Sequence, residues 1–359
     1  MSAINTKMVF VSMSDQANGA ENVLLMAARH NLSPIIFLKK SKDNALNVPS
    51  LHKKHYISNV SLLMGFIGLV SAIWPYRAGF TIFSTHSYLN AYLGFLKRIG
   101  YIKSKLVLRE CTSVFTRYKG LKRWSYKVAY NLGYTAADVI ICQTELMRNI
   151  FLSQMSYISP EIVIVIGNPI DQQQVVVKSL LTPKDIHLES DFICAAGRLI
   201  PEKGFSILIQ AFKKVYAVYP NMKLLIFGDG PDKDILLKLI KNNNLEGKVI
   251  LKGWQSNIMP YFKKAKACVI SSIKEGFPNA LLEMLTLNPV VISTLCAGGI
   301  DTIPGIYKLP VNDVSDMTFS ILKALQTGDQ SQRQSALKYL ANRSPEEYTN
   351  TIIQALNPN

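Results

Sequence analysis

Short apolar runs alternate with amphipathic stretches from the start of this chain. Runs of three to six apolar residues are typical of strands buried on both faces, and a period of 3.6 indicates a helix. In the first half, predicted strands cover residues 8–13, 34–38, 81–84, 106–108, 139–142 and 162–166, with helical patterns between them, including 21–30 and 60–73. This order predicts a parallel, doubly wound sheet.

The second half repeats the alternation. Predicted strands cover residues 192–195, 224–227, 249–251, 267–270 and 290–293, and predicted helices cover 205–216, 232–240, 259–264 and a segment from Pro278 to Asn288. A polar stretch at 171–190 interrupts the apolar rhythm. We therefore predict an α/β protein of two Rossmann-like domains facing across a cleft, with residues 1–172 and 191–344 as domains and 173–190 as the linker. A C-terminal helix in 345–359 could pack back on the first domain.

Length and composition agree with two domains. A chain of 359 residues is too long for one ordinary core, and a hydrophobic content of 48% is ample for two. The five cysteines are an odd number without close spacing, so they are interpreted as reduced thiols of a cytoplasmic protein. No signal peptide is predicted, because the first apolar run is only a short strand.

Charge is concentrated in one part of the first domain. The net charge is +16, and residues 97–127 contain ten Lys or Arg against a single acid, Glu110, with aromatic residues interleaved. This mixture suits an anionic lipid surface, which we favour as a partner over nucleic acid. The plain alternative is a soluble basic surface.

A second stretch of the first domain has the opposite character. Residues 56–76 carry no charge, and 62–74 are strongly apolar. A spanning helix needs about 20 apolar residues, whereas this core has 13 and ends at Pro75. We interpret it as a buried or interfacial helix.

An isolated carboxylate marks the centre of the second domain. Glu283 is the only charged residue between Gly276 and Ile300, and Glu275 lies on the loop before the predicted helix. The helix start directs free backbone N–H groups beyond the strand end, where anions bind. Although most helical glutamates are solvated, the apolar neighbours of Glu283 favour a partly buried carboxylate that accepts from ligand hydroxyls.

Other strand-end loops of the second domain carry candidate ligand groups. Arg198 and Lys203 lie five residues apart in a loop that starts at Gly197 and opens a helix, which suits a diphosphate. Gly228 begins a Gly-Asp-Gly-Pro loop that is either a ligand contact or an ordinary turn. Trp254 could stack on a base or belong to the core.

Three loops at strand ends of the first domain also carry candidate residues. Gly19 precedes the first helix and would let a phosphate or acceptor approach the backbone, or it only serves the turn. His86 follows a strand and is equally compatible with a catalytic or a structural role. Arg109 and Glu110 end the next strand and are candidates for an acceptor or phosphate loop.

Several nucleotide-binding and cofactor motifs are missing. The sequence has neither a Walker lysine loop nor a Gly-x-Gly-x-x-Gly after the first strand, which argues against a nucleotide hydrolase and a nicotinamide enzyme. The cationic loop makes a divalent metal between phosphates unnecessary. We therefore expect no metal and no cofactor.

Three motifs together resemble a known family. Gly-Arg-Leu-x-x-Glu-Lys-Gly at 197–204, Gly-Asp-Gly-Pro at 228–231 and Glu-Gly-Phe-Pro-Asn-Ala-Leu-Leu-Glu at 275–283 resemble family 4 of the retaining glycosyltransferases, which have the GT-B fold. The resemblance is close over residues 190–300 and weaker before them, where Asn18 replaces a usual glycine. Cys296 departs from a related family pattern and receives no role.

The resemblance implies roles for individual residues. Arg198 and Lys203 would bind the donor diphosphate, and Glu275 would contact the transferred sugar near the reaction centre. Glu283 would hold the ribose hydroxyls, and His86 would face the sugar and acceptor together with Gly19. The remaining donor-side positions it implies are Gly197, Gly228, Trp254, Gly276, Phe277, Pro278 and Asn279.

The function implied is a retaining, metal-independent transfer of a hexose or N-acetylhexosamine. The donor would be a nucleoside-diphosphate sugar, a UDP-sugar, and the acceptor a lipid-linked glycan in capsule, O-antigen or related assembly. The enzyme would be cytoplasmic and peripheral on the inner face of the plasma membrane. A nucleotide-sugar 2-epimerase and a non-catalytic basic docking protein are the alternatives, and the sequence leaves the oligomeric state, the sugar and the acceptor open.

Overall fold

The structure, a computed structural model, describes residues 7–30, 32–42, 45–46, 48–49, 52–112, 114–181, 191–327 and 333–357. The chain divides into two compact units. The N-terminal unit comprises Met1–Pro169 together with Arg343–Asn359, and the C-terminal unit comprises Ile170–Asn342. The chain therefore leaves the first unit, builds the second and returns to the first.

The N-terminal unit is built on one parallel sheet. Its seven strands are β1 (Met8–Ser14), β2 (Ile35–Lys39), β3 (Lys54–Ser58), β4 (Thr81–Ser84), β5 (Lys105–Arg109), β6 (Val139–Cys142) and β7 (Val163–Val165), in the order β3-β2-β1-β4-β5-β6-β7. The central strand β1 pairs on both sides, with Phe10 opposite Ile35 and Phe83. The sequence therefore predicted the type of sheet correctly.

Helices cover both faces of this sheet. They are α1 (Gly19–His30), α2 (Leu62–Ile73), α3 (Ser87–Arg98), α4 (Val114–Arg117), α5 (Gly120–Gly133) and α6 (Glu145–Gln154). Helices α2, α3, α5 and α6 share one apolar cluster with the sheet, whereas the opposite face is covered by α1 and the C-terminal helix Pro345–Leu356. Buried residues on both faces explain the continuous apolar runs of the strands.

Two glycines bring α3 and α5 into backbone contact. A Cβ atom added to Gly94 would lie 2.2 Å from the carbonyl oxygen of Gly133, and one added to Gly133 would lie 2.0 Å from that of Ala91. The Arg98 guanidinium also donates to the Asn131 carbonyl across the two helices at 3.2 Å. Any side chain larger than hydrogen at either glycine must therefore push the helices apart.

The C-terminal unit has a six-stranded parallel sheet. Its strands are β8 (Phe192–Ala196), β9 (Lys223–Phe227), β10 (Val249–Gly253), β11 (Ala267–Ile270), β12 (Val291–Thr294) and β13 (Tyr307–Leu309), in the order β10-β9-β8-β11-β12-β13. The helices are α7 (Gln172–Ser179), α8 (Phe205–Val218), α9 (Lys233–Asn242), α10 (Met259–Lys264), α11 (Asn279–Leu287), α12 (Val314–Thr327) and α13 (Arg333–Ala341). The final helix, Pro345–Leu356, is α14 and belongs to the N-terminal unit.

Three details differ from the sequence predictions. Strands β3 and β13 were not predicted, because each lies at an edge of its sheet and is more polar than the inner strands. Residues 173–179, assigned to a linker, are helical, since the Asp171 side chain caps α7 by accepting from the Gln174 N–H at 2.9 Å. The rest of that linker, 182–190, lies outside the described residues.

The charge-free stretch at residues 56–76 contains helix α2, which is too short to span a membrane. It has 12 residues, which is about 18 Å of helix, against about 30 Å for a hydrocarbon core. Within the part of the chain that the structure describes, no helix is both long and apolar enough to cross a membrane.

Candidate active site

Loops at the carboxyl ends of four neighbouring strands are bonded to one another in the C-terminal unit. In the loop after β8, the Lys203 carbonyl accepts from the Ser271 hydroxyl at 2.8 Å. The Leu199 N–H of the same loop donates to the Asp229 carbonyl at 2.9 Å. The loop after β9 donates its Gly228 N–H to the Gly253 carbonyl at 2.8 Å. The four loops therefore form one connected surface at this edge of the sheet, where parallel α/β sheets bind ligands.

Glycines make this close approach possible at two positions. Gly228 has φ +130°, and a Cβ there would lie 1.9 Å from the carbonyl oxygen of Gly197. Gly204 has φ +63°, and a Cβ there would lie 2.1 Å from the carbonyl oxygen of Ser271. Both positions need a positive φ and an absent side chain, which only glycine combines without strain.

Lys203 and Glu275 form an ion pair on this surface. The Lys203 Nζ donates to Glu275 Oε1, and the Ser272 hydroxyl donates to the same oxygen at 2.7 Å. The two side chains are 22% and 16% exposed, so the pair is reachable but partly desolvated. A charge-assisted contact in such surroundings is stronger than one in water. The Glu275 N–H also donates to the Cys296 carbonyl at 2.9 Å, which fixes the loop.

Glu283 lies one to two turns into α11. Its neighbours Leu281, Leu282, Met284 and Leu285 are buried, and Glu283 itself is half-buried. Burial raises the pKa of the Glu283 carboxyl to about 7, although the positive charge of Lys178 acts in the opposite direction. Hydroxyl donors would stabilise the ionised form of this carboxyl, because a hydrogen bond to it offsets the cost of burial.

The remaining predicted donor-side residues differ in accessibility. Arg198 is exposed, and Trp254 is 43% exposed, which excludes the core position considered for the tryptophan. Phe277 belongs to the apolar core, so its side chain is not open to a ligand. Pro278 is the N-cap of α11, not its first residue as predicted, and Asn279 begins the helix. Gly197 and Gly276 are half-buried within the strand-end loops.

His86 of the N-terminal unit is paired with a buried carboxylate. It is the N-cap of α3, and its Nε2 lies 3.0 Å from Oε1 of Glu21 in the first turn of α1. The Glu21 side chain is 3% exposed and that of His86 is 25% exposed. Gly19, the first residue of α1, is exposed. The imidazole is therefore held from the inside while part of it stays accessible.

Arg109 and Glu110 lie inside the domain, unlike the open acceptor or phosphate loop predicted for them. The Arg109 guanidinium donates to Asn168 Oδ1 at 2.7 Å and to Thr85 Oγ1 at 3.2 Å. Glu110 accepts from the hydroxyl groups of Tyr130, at 2.5 Å, and Tyr134. Both residues are almost fully buried, so their side chains organise the strand end and are not open to a surface ligand.

Burial also decides the charge behaviour of Glu110. Loss of solvent raises the pKa of its carboxyl, while the hydrogen bonds from Tyr130 and Tyr134 lower it. Burial is the larger cause of the raised pKa of both tyrosines, and the charge of the Glu110 carboxyl raises it further. This cluster is consistent with a structural role.

Acidic residues near the start of α9 bear on the expectation of metal independence. The chain contains one Asp-x-Asp triplet, at residues 232–234, so the expectation of metal independence rests on the cationic loop alone. Asp232 is the N-cap of α9 and Asp234 lies in its first turn. No group of three His, Cys, Asp or Glu suited to a metal comes together within the described ranges.

Sequence reasoning missed three residues of these clusters. Ser272, which donates to Glu275, is one of two adjacent serines in the motif region, and Glu21 was visible as an acid in a first helical turn. Lys178, whose charge acts on Glu283, comes from α7, which was assigned to the linker. Its spacing of about 100 residues from Glu283 gives no signal in the sequence.

The chain is similar to proteins of one enzyme class. Residues 181–336 match the family model described as glycosyl transferases group 1. An uncharacterized glycosyltransferase of Methanocaldococcus jannaschii is 38% identical over 55% of this chain and 49% of its own length. An N-acetylgalactosaminyltransferase of Campylobacter jejuni, named for a diphospho-undecaprenol-linked substrate, is 33% identical over 56% of this chain and 54% of its own. These alignments cover about half the length of either relative.

A solved structure resembles the fold over nearly all of the chain. Anabaena HepE in complex with UDP superposes with a TM-score of 0.80 over 98% of this chain and 99% of its own, at 16% sequence identity. The same protein was also solved in complex with UDP-glucose. At this identity the likeness concerns the fold, which is the GT-B arrangement of two Rossmann-like domains.

Proposed function

We propose that this protein is a retaining glycosyltransferase, because residues 181–336 match the family model described as glycosyl transferases group 1. It transfers a hexose or N-acetylhexosamine from a UDP-sugar to a lipid-linked glycan during cell-surface polysaccharide assembly. The observation that carries the proposal is the Lys203–Glu275 pair at the carboxyl edge of the C-terminal sheet, inside the matched segment.

The donor side follows from the chemistry of these residues. The Lys203 ammonium and the Arg198 guanidinium bind the diphosphate, whose negative charge grows as the bond from the anomeric carbon to the phosphate oxygen breaks. Glu275 accepts from hydroxyl groups of the transferred sugar, and Glu283 accepts from the ribose. An acceptor hydroxyl then bonds to the anomeric carbon, and its proton leaves with the nucleoside diphosphate. None of these steps needs a metal.

The choice of substrates is supported by relatives. The Anabaena protein that shares the fold was solved with UDP and with UDP-glucose, which supports a UDP-sugar donor. The Campylobacter jejuni relative is named for a diphospho-undecaprenol-linked substrate, which supports a lipid-linked acceptor. A relative of Staphylococcus aureus is named for capsular polysaccharide biosynthesis. An enzyme that uses such an acceptor would act at the cytoplasmic face of the plasma membrane, with the basic segment 97–127 beside anionic lipids.

A nucleotide-release assay tests this function. Purified protein is incubated with candidate UDP-sugars, with and without bacterial lipid extract, and free UDP is measured. We expect lipid-dependent UDP release that Glu275→Ala and Lys203→Ala each abolish without changing the melting temperature. Sugar isomerisation without lipid would identify a 2-epimerase instead. No turnover with any donor would overturn the enzymatic proposal, and full activity of either variant would overturn the donor site.

A further inference from the structure

Three helices of the N-terminal unit form a layer on one face of its sheet. Leu69 of α2, Leu93 of α3 and Tyr130 of α5 belong to the same buried cluster as the strands beneath them. The helices also contact one another, since the Phe66 and Tyr92 rings lie 5.5 Å apart and the Tyr88 and Tyr126 rings 4.4 Å apart. The side of each helix opposite this cluster therefore points away from the domain.

The outward side of α2 is apolar and exposed. Leu63 is 69% exposed, Met64 58% and Ile67 60%, and Trp74 follows the helix at 49%. These positions recur at intervals of three, four and seven residues, so they form one stripe. The stripe is uncharged, because residues 56–76 contain no Asp, Glu, Lys or Arg.

Helix α5 presents a second apolar stripe. Leu121, Trp124, Val128 and Leu132 recur at intervals of three and four residues and are all exposed, with Trp124 at 64%. Unlike the stripe on α2, this one is flanked by the exposed cations Lys119, Lys122 and Lys127. Phe95 and Ile99 at the end of α3 add exposed apolar area to the same layer.

The charge of the layer has one sign. From residue 59 to 137 the sequence contains eleven Lys or Arg and a single acid, Glu110, which is 3% exposed. The Arg77 guanidinium stacks on the exposed Trp74 ring, 3.5 Å from its centroid. A tryptophan with an adjacent cation suits the boundary between acyl chains and anionic headgroups. The layer thus offers apolar groups and positive charge on one side, with no exposed carboxylate in that range.

We infer that the outward stripe of α2 inserts into the headgroup region of an anionic phospholipid bilayer, with α5 and its lysines lying on the surface beside it. This inference rests on the proposed function and extends it, because the basic segment 97–127 alone does not contain α2. A helix of about 18 Å that is apolar along one exposed side lies in the interface instead of spanning it. The positive charge of the layer selects an anionic surface.

The three tryptophans of the chain provide the test. Trp74 and Trp124 lie on the layer, whereas Trp254 lies in the C-terminal unit. Each is kept alone by Trp→Phe exchange of the other two, and its fluorescence is followed on adding vesicles with brominated acyl chains. We expect quenching and a blue shift for Trp74 and Trp124 with vesicles containing about 30% phosphatidylglycerol, a weak response with pure phosphatidylcholine, and none for Trp254.

A matched pair of variants tests the inserted stripe. Leu63→Ser, Met64→Ser and Ile67→Ser together are expected to weaken partitioning into anionic vesicles by about tenfold or more. The control is Ile235→Ser with Leu237→Ser, which removes two exposed apolar residues from α9 in the other unit and should leave partitioning unchanged. Circular dichroism and melting temperatures show whether each variant folds. If the triple variant is unfolded, Ile67→Ser alone is compared with Ile235→Ser.

A partner other than an anionic bilayer on this layer would give different results in these experiments. Quenching of Trp254 as strong as that of Trp74, or partitioning unaffected by the triple variant, would overturn the inference. So would a dimer that the triple variant converts to monomer without any vesicle binding, or tight binding to nucleic acid alone. Because partitioning is measured without donor or acceptor, transfer without vesicle binding defeats only this inference. Vesicle binding without transfer defeats only the proposed function.

Discussion

Lys203 and Glu275 form an ion pair, and the Ser272 hydroxyl donates to the same carboxylate oxygen. Under the proposed function, Lys203 binds the donor diphosphate and Glu275 contacts the transferred sugar. A donor bound in this way competes with the ion pair, because each residue would contact a different part of the ligand.

The first prediction separates the two members of this pair. Lys203→Met removes a charge-assisted contact and should weaken UDP binding about 10- to 100-fold. Glu275→Gln frees Lys203 from its internal partner, so UDP should bind as well as or better than before, while turnover falls about 100-fold or more. Isothermal titration and steady-state kinetics measure both. Lys264→Met, at an exposed position of the same unit, is the control for charge alone. Equal losses of UDP affinity in the two active-site variants would contradict the division of roles.

The second prediction concerns pH and Glu283, whose pKa is raised to about 7 by burial. Under the proposed function ribose hydroxyls donate to the ionised carboxyl, so UDP affinity should rise between pH 6 and pH 8 as the proton is lost. Glu283→Gln should weaken UDP binding more than turnover and remove this part of the pH dependence. Comparison of the two proteins cancels the titration of UDP itself. A wild-type profile parallel to that of the Gln variant would exclude Glu283 from the ribose site.

The same pKa has a consequence for stability. A raised pKa in the folded state means that the unfolded chain loses the proton first, so the free energy of unfolding falls as pH rises from about 4.5 to 7. Glu283→Gln should therefore raise it by about 1–2 kcal/mol at pH 8, a figure reduced for the partial exposure of the side chain, and leave it unchanged at pH 4. Urea denaturation at the two pH values measures the difference. Equal effects at both would assign the change to packing instead of charge.

The third prediction tests the contact of α3 with α5. Gly94→Ala places a methyl group 2.2 Å from the Gly133 carbonyl oxygen, so the free energy of unfolding of the N-terminal unit should fall by about 2–4 kcal/mol. Asn131→Ala, exposed on α5, should change it by less than about 0.5 kcal/mol. Urea denaturation followed by Trp124 fluorescence reports on this unit. Matching midpoints for the two variants would show that the helices can separate without cost.

The fourth prediction concerns Glu21 and His86. Because Oε1 of Glu21 lies 3.0 Å from Nε2, the carboxylate should hold a proton on that nitrogen and leave Nδ1 as an acceptor for a sugar hydroxyl. Glu21 is then a positioning residue. Glu21→Gln should mix the two tautomers in ¹⁵N spectra of the imidazole, assigned with His86→Gln, and lower turnover about tenfold, while Glu21→Asp restores part of both. Unchanged ¹⁵N shifts in the Gln variant would remove this role.

The sequence predicted the inner strands and one edge strand of each sheet, β7 and β10, but missed the more polar edge strands β3 and β13. Residues 8–13 and 267–270 are buried on both faces, so apolar composition alone reveals them, whereas β3 contains Lys54 and His55 at an open edge. Helix α7 was missed because its three glutamines and short length resemble a linker. Helix formation there depends on the Asp171 cap and on packing within the C-terminal unit.

Some features of the candidate site could also be predicted from the sequence, and others could not. Motif spacing was sufficient to bring Lys203 and Glu275 together, because both lie at strand ends of one parallel sheet and such ends share an edge. It could not predict that Arg109 and Glu110 turn inward, since that depends on Tyr130, Tyr134 and Asn168 from three other segments. Strand-end position therefore predicts location but not the direction of a side chain.

The return of the chain to its first unit sets an order of assembly. Tyr348, Ile352 and Leu356 of α14 complete the apolar cluster that covers α1, including Val23 and Leu24. During synthesis the C-terminal unit leaves the ribosome before α14 does, so the first unit to begin is the last to be finished. Until then α1 keeps an open apolar side, which makes the N-terminal unit of the growing chain a target for chaperones.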